Sequence, residues 1–161
     1  MKNSNQEFVK VFVFGLLFMI LLSVSSIQKC SASELWVNTG GVSRHFEDNG
    51  RNEVHPGLGI EYRLNSDTSV MLGYHKNSLN LRTQYASVQY QPLHLGPLKI
   101  GVSAGVMSGY PLKRDGGFFP AVLPMITYES KTFGVNFGII PNIPSQKVEG
   151  AFVAQIKWRL F

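Results

Sequence analysis

Past residue 34 every second residue tends to be apolar, and this two-residue rhythm restricts the chain to sheet. In 98–110, Ile100, Val102, Ala104 and Val106 alternate with Lys99, Gly101, Ser103 and Gly105. In 57–64, Leu58, Ile60, Tyr62 and Leu64 oppose Gly59, Glu61 and Arg63, and in 151–160 Phe152, Ile156, Trp158 and Leu160 oppose Gln155, Lys157 and Arg159. The rhythm marks eight strands, at 35–46, 57–64, 69–76, 81–90, 98–110, 118–128, 132–140 and 151–160. No stretch beyond Glu34 carries a convincing apolar period of 3.6 residues.

A soluble sandwich with its apolar face inward alternates in this way too. Two features favour a membrane barrel. Connections at Asn65-Ser66-Asp67, 94–97 and 130–131 are short, whereas 47–56, 111–117 and 141–150 are long, as in an up-and-down barrel whose termini lie in the periplasm. The short connection near 76–80 is the exception. An even strand number also allows closure, which leaves no hydrogen-bonding edge exposed to lipid. Aromatic residues near strand ends (Trp36, Tyr62, Tyr90, Tyr110, Tyr128, Trp158) suit the headgroup level. The expected fold is all-β: an eight-stranded antiparallel transmembrane β-barrel.

The N-terminal segment points to export. An apolar run at 11–22 follows Lys2 and Lys10 and precedes Ser31-Ala32-Ser33, the small residues of a signal-peptide cut before Glu34. Residues 1–33 are read as a cleaved signal peptide and 34–161 as the barrel, with a final strand that ends on Phe161. The implied location is the outer membrane of a Gram-negative bacterium, reached through the periplasm. Cys30 also allows a lipoprotein reading, against which Lys29 stands, and the run at 11–22 also allows an inner-membrane anchor, for which it is short. Loss of the leader removes the one cysteine and lowers the formal charge of +5 to about +3, which argues against nucleic acid as a partner.

An eight-stranded barrel has an interior about wide enough for side chains. Inward positions include Gly59, Gly73, Gly101, Gly105, Gly134 and Gly138, which either relieve crowding or open a slot for an acyl chain. His45 and His75 fall at outer strand ends, His55 in the first long loop and His94 in a periplasmic turn; no pair has metal-ligand spacing, so neither metal nor cofactor is expected. Hydrolytic or transfer chemistry needs a hydroxyl, a base and an orienting group. Ser78 after Asn77, with His45 or His75 as base and Asp48 as orienter, supplies such a set.

Leu98-Lys-Ile-Gly-Val-Ser-Ala-Gly-Val106, Phe119-Pro-Ala-Val-Leu-Pro124, Ile140-Pro141 and the closing strand resemble, in order and spacing, the outer-membrane lipid A palmitoyltransferase family known as PagP. Pro56-Gly57-x-Gly59 and Gln91-Pro92-Leu93 resemble further landmarks of it. The resemblance implies a barrel that moves a palmitoyl chain from phospholipid to lipid A with an extracellular histidine, aspartate and serine. Ser78 falls at the serine, His45 is the best match for the histidine, and Asn77 stands where the family has an aspartate. An amide there can hydrogen-bond but cannot act as an anion. Pro124 and Pro141 match prolines that weaken the wall, no proline occupies 34–45, and Tyr85 falls near the glycine that sets pocket depth. A deacylase with a His-x-Ser-Asn motif fits less well, because His75-Lys-Asn-Ser78 has other spacing. Two functions stay open: a non-catalytic barrel for surface masking, adhesion or membrane integrity, and a lipid A or phospholipid acyltransferase. Either implies outer-membrane lipids (phospholipid, lipopolysaccharide) as partners, the barrel-assembly machinery during insertion, and a monomer.

Overall fold

The computed structural model describes residues 33–161 except Asp48 and Lys147, and of Gln146 only the backbone. The leader reading therefore lies outside the described residues. Eight strands follow one another: β1 Leu35–His45, β2 Val54–Arg63, β3 Thr68–Lys76, β4 Arg82–Leu95, β5 Leu98–Met107, β6 Phe119–Glu129, β7 Phe133–Ile140 and β8 Ala151–Arg159. Each pairs antiparallel with its neighbours and β8 returns to β1, closing an up-and-down barrel. The connections 64–67, 96–97 and 130–132 lie at the end where β1 starts and β8 finishes, here called the terminal end. The connections 46–53, 77–81, 108–118 and 141–150 lie at the other, here called the outer end.

The alternation decides what faces where. Leu58, Ile60, Leu72, Val88, Val122, Phe137 and Ile156 are exposed on the wall, whereas Glu61, Gln89, Thr127 and Lys157 are almost wholly buried inside. Among the described residues only Trp36, Met71, Met125 and Ala151 are buried apolar side chains, against thirteen buried polar or charged ones. A water-soluble sandwich has the reverse pattern. An apolar wall around a polar interior fits hydrocarbon outside.

Local chemistry explains where the strands depart from expectation. β2 begins at Val54, so Pro56 and His55 belong to the strand and not to the first loop. Register shifts between Thr39 and Gly41 on β1, a bulge centred on Gly40. A Cβ on Gly40 would lie 1.8 Å from the His55 carbonyl oxygen, so the close approach requires glycine. Pro56 sits opposite this bulge, where the ladder is interrupted and a missing N–H costs least. A second bulge between Tyr90 and Leu93 carries β4 through Pro92 as far as Leu95, leaving His94 in a strand and the next turn only Gly96-Pro97. Gly96 has φ of +60°, a conformation suited to glycine in that tight hairpin.

The aromatic residues divide. Tyr62, Tyr90 and Trp158 face outward near the terminal end, and Tyr74 does so near the outer end. Trp36, expected at headgroup level, is instead wholly buried in the lumen, between the Lys157 ammonium and the Arg159 guanidinium at 4.8 and 4.7 Å from its ring. Tyr110 lies beyond the end of β5, edge-on to Phe119.

Candidate functional site

Two layers of the lumen hold the polar chemistry. The terminal-end layer is ionic. Lys157 Nζ donates to Glu61 Oε1 and Glu129 Oε1, both at 2.7 Å. Arg63 joins Glu34 at 2.8 Å and also bonds Glu129, and Lys99 reaches Glu129 at 2.9 Å. Arg159 reaches Glu34 at 3.3 Å. Above this layer Gln91 donates to Thr127, which donates to Asn136, while Ser69 bonds both Glu61 and Gln89. Alternating inward positions on β2, β6 and β8 bring these charges to one level, because side chains two apart on a strand share a face. Together they close the barrel as a plug.

The outer layer holds the residues singled out from the sequence. His45 ends β1, and its Nδ1 is buried without a hydrogen-bond partner. Asn77 is fully buried and organises the 77–81 turn. Its Oδ1 accepts from the backbone N–H groups of Leu79 and Leu81 at 2.9 and 3.0 Å, and its Nδ2 donates to Thr83 Oγ1 and the Gly109 carbonyl at 3.1 and 2.8 Å. Those four bonds fill the capacity of an amide. The Ser78 hydroxyl meets Tyr110, whose phenol burial pushes up from its ordinary value and the Ser78 bond draws back. No hydrogen bond joins His45 to Asn77 or Ser78 among the described residues, and Asp48 lies outside them.

A different serine and histidine meet. Ser43 Oγ lies 2.7 Å from His55 Nε2, and His55 Nδ1 lies 2.9 Å from the Lys76 carbonyl. A carbonyl only accepts, so Nδ1 carries the proton and Nε2 accepts from the hydroxyl. The His55 ring stands edge-on to His75 at 6.0 Å, and His75 lies 5.7 Å from Tyr85. The imidazole has a backbone carbonyl where a triad has a carboxylate. Sequence spacing missed this pair because it depends on the β1–β2 register across the Gly40 bulge. The signal available was His55 beside Pro56-Gly57, had that segment been read as strand.

Tyr85 points into the lumen. A Cβ on Gly59 or Gly73 would come within 2.4 or 2.6 Å of its hydroxyl oxygen. These two glycines therefore make room for a phenol, and the lumen is occupied at mid-height.

A closed eight-stranded barrel with an apolar wall, aromatic residues at the terminal rim and a plugged polar lumen has the fold of the small transmembrane β-barrels. Solved structures agree. A de novo designed transmembrane β-barrel is similar over 83% of this chain and 100% of its own, with TM-score 0.57 and 13% identity. The designed barrel TMB2.3, solved by NMR in solution, is similar over 83% of this chain and 99% of its own, with TM-score 0.55 and 15% identity. The N-terminal β-barrel domain of Pseudomonas aeruginosa OprF is similar over 80% of this chain and 100% of its own, with TM-score 0.52 and 15% identity. No protein-family model matches the chain, and no curated protein does. At these identities the likeness is one of fold.

Proposed function

We propose that this is an outer-membrane barrel of a Gram-negative bacterium that works through its wall and outer surface, in membrane integrity or surface masking, without acyl-transfer chemistry. The observation that carries the reading is the filled lumen: Tyr85 occupies mid-height against Gly59 and Gly73, where an acyl slot would have to pass. Asn77, with its amide committed to the 77–81 turn, supports it. The barrel would enter the membrane as a monomer through the barrel-assembly machinery, with phospholipid and lipopolysaccharide around it.

The deciding experiment is a lipid A mass spectrum from a Gram-negative host expressing the chain, beside Ser78→Ala. An unchanged spectrum, with a heat-shifted barrel found in the outer-membrane fraction, is expected. A gain of one acyl mass in the wild type would replace this reading with an acyltransferase. Persistence of that gain in Ser78→Ala would also remove Ser78 from the mechanism.

One observation favours that second reading, acyl transfer in the outer leaflet on the pattern of the palmitoyltransferase resemblance. β6 pairs continuously with β5 from Tyr128 to Phe119, but with β7 only from Glu129 to Met125. Pro120 and Pro124 lie in the part of β6 unpaired with β7, and a proline has no N–H to give a ladder. An unladdered seam is where an acyl chain could enter sideways. On this reading His45 is the base, Ser78 the nucleophile or positioning hydroxyl, and Asn77 the oxyanion or orienting partner.

A further inference from the structure

The outer rim is not evenly charged. Around β1, β2 and the last loop the basic side chains have acids: Arg44 pairs with Glu53 at 3.1 Å, and Arg51 pairs with Glu149. On the wall of β3 and β4 they do not. Lys76 and Arg82 are exposed and directly opposed in the β3–β4 ladder, and neither has a carboxylate partner among the described residues. Their neighbours Asn77 and Thr83 are fully buried in the lumen, so alternation turns Lys76 and Arg82 to the outside.

Like charges directly opposite each other weaken an antiparallel pair, and their Cβ atoms are only about 4.5–5.5 Å apart. An anion between the two ends would reverse that penalty. The Arg82 guanidinium is already fixed, lying 4.6 Å from the centroid of the Tyr74 ring. Below this pair the same outer face carries Tyr74 opposite Gln84, and then Leu72 opposite Ala86 with Val88 beyond, an aromatic and an amide followed by an apolar track. Tyrosine favours the boundary between headgroups and hydrocarbon. Two cations one step beyond it stand at the depth of headgroup phosphates.

We propose that Lys76 and Arg82 form a clamp for a phosphate of a lipid A-type glycolipid in the outer leaflet, with acyl chains lying along Leu72 and Val88. Two cations at ladder spacing suit a phosphate, arginine offering a planar fork and lysine a point charge. The inference rests on the outer-membrane reading above, but its test does not.

Barrel purified after expression of the full chain is incubated in detergent with bisphosphorylated lipid A, with dephosphorylated lipid A or with phosphatidylglycerol, and retained lipid is counted by native mass spectrometry. Binding of bisphosphorylated lipid A is expected to weaken about thirtyfold in the double variant Lys76→Gln/Arg82→Gln, given the attraction of each cation near an anionic surface. Arg44→Gln, on β1 and paired with Glu53, should bind as the wild type does. The heat shift on gels confirms that each variant is folded. Unchanged binding in the double variant overturns the clamp, as does equal retention of dephosphorylated lipid A. Preference for phosphatidylglycerol also overturns it, assigning the pair to anionic lipid in general. Cell fractionation tests location separately, so a barrel found elsewhere that still binds through these residues would refute the location alone.

Discussion

The two ends of the lumen solve the problem of buried polarity differently. At the terminal end three acids and four bases share bonds, so each charge inside the barrel has an opposite charge at contact distance. At the outer end neutral groups dominate: one imidazole holds Ser43 and a carbonyl, one amide holds a turn, and the β6–β7 ladder stops half-way. Charges in a dry interior are stable only as a complete set. Unpartnered buried atoms occur in both layers, Glu61 Oε2 and Arg159 Nε in the ionic one and His45 Nδ1 in the neutral one, so the contrast lies in the paired charges and not in complete hydrogen bonding. The terminal end is therefore the rigid half, and local opening should begin at the outer one.

Lys157→Met should have the largest effect. It leaves Glu61 and Glu129 facing each other in the lumen, and removal of one partner from a buried ion set costs about 3–5 kcal/mol. Urea unfolding from detergent micelles measures this. A loss no larger than that of an outer-end substitution would abolish the distinction between the halves.

Asn77→Asp comes next and tests whether the outer end is structural or catalytic. A carboxylate cannot donate to the Gly109 carbonyl, which loses its partner at a cost of about 1–3 kcal/mol, whereas the Thr83 hydroxyl can turn to donate to the new carboxylate. The substitution also restores the aspartate of the palmitoyltransferase pattern. Lower stability with an unchanged lipid A spectrum is expected. A new acylated species would instead make this end a site one atom short of activity.

Gly59→Ala sharpens the account of the filled lumen. The added methyl would sit 2.4 Å from the Tyr85 hydroxyl oxygen and 3.0 Å from the Leu72 carbonyl. Overpacking of this kind costs about 1–3 kcal/mol. Most of the loss should return in Gly59→Ala/Tyr85→Phe, since the phenol oxygen is the closest atom. A double variant no more stable than Gly59→Ala would place the strain in the backbone.

These elements also show what could be read from residue order. Strand number and facing were legible because a period of two survives in any strand: Ile60 outside and Glu61 inside follow from adjacency alone. Strand ends were less so. Pro56 and Pro92 look like breakers, and only bulges that place them off the ladder admit them to β2 and β4. The bulge at Gly40 fixes where His55 meets Ser43, and a register shift leaves no local signature in the spacing of either residue. Trp36 departs from expectation for a different reason. Strand-end aromatics suit headgroups, but here two lumenal cations take the ring inside.

The smallest effect belongs to the tie between the first and last outer loops, and it depends on pH. The hydrogen bond from Arg51 holds the Glu149 carboxyl below its ordinary value of 4.5. A carboxyl lowered by folding contributes stability that is fully present above the unfolded value and disappears as pH falls through the folded one. The contribution should therefore be constant at neutral pH and fade below 4.5. Both side chains are about one-third exposed, so solvent screening limits the tie to about 0.5 kcal/mol or less. Limited proteolysis of the 141–150 loop at neutral pH and in acid, with a protease active at both, reads it directly. Glu149→Gln should speed cleavage slightly at neutral pH and make no difference once the wild-type carboxyl is protonated. An equal effect of the substitution at both pH values would mean that the side chain acts by packing, and the outer end would then owe nothing measurable to charge.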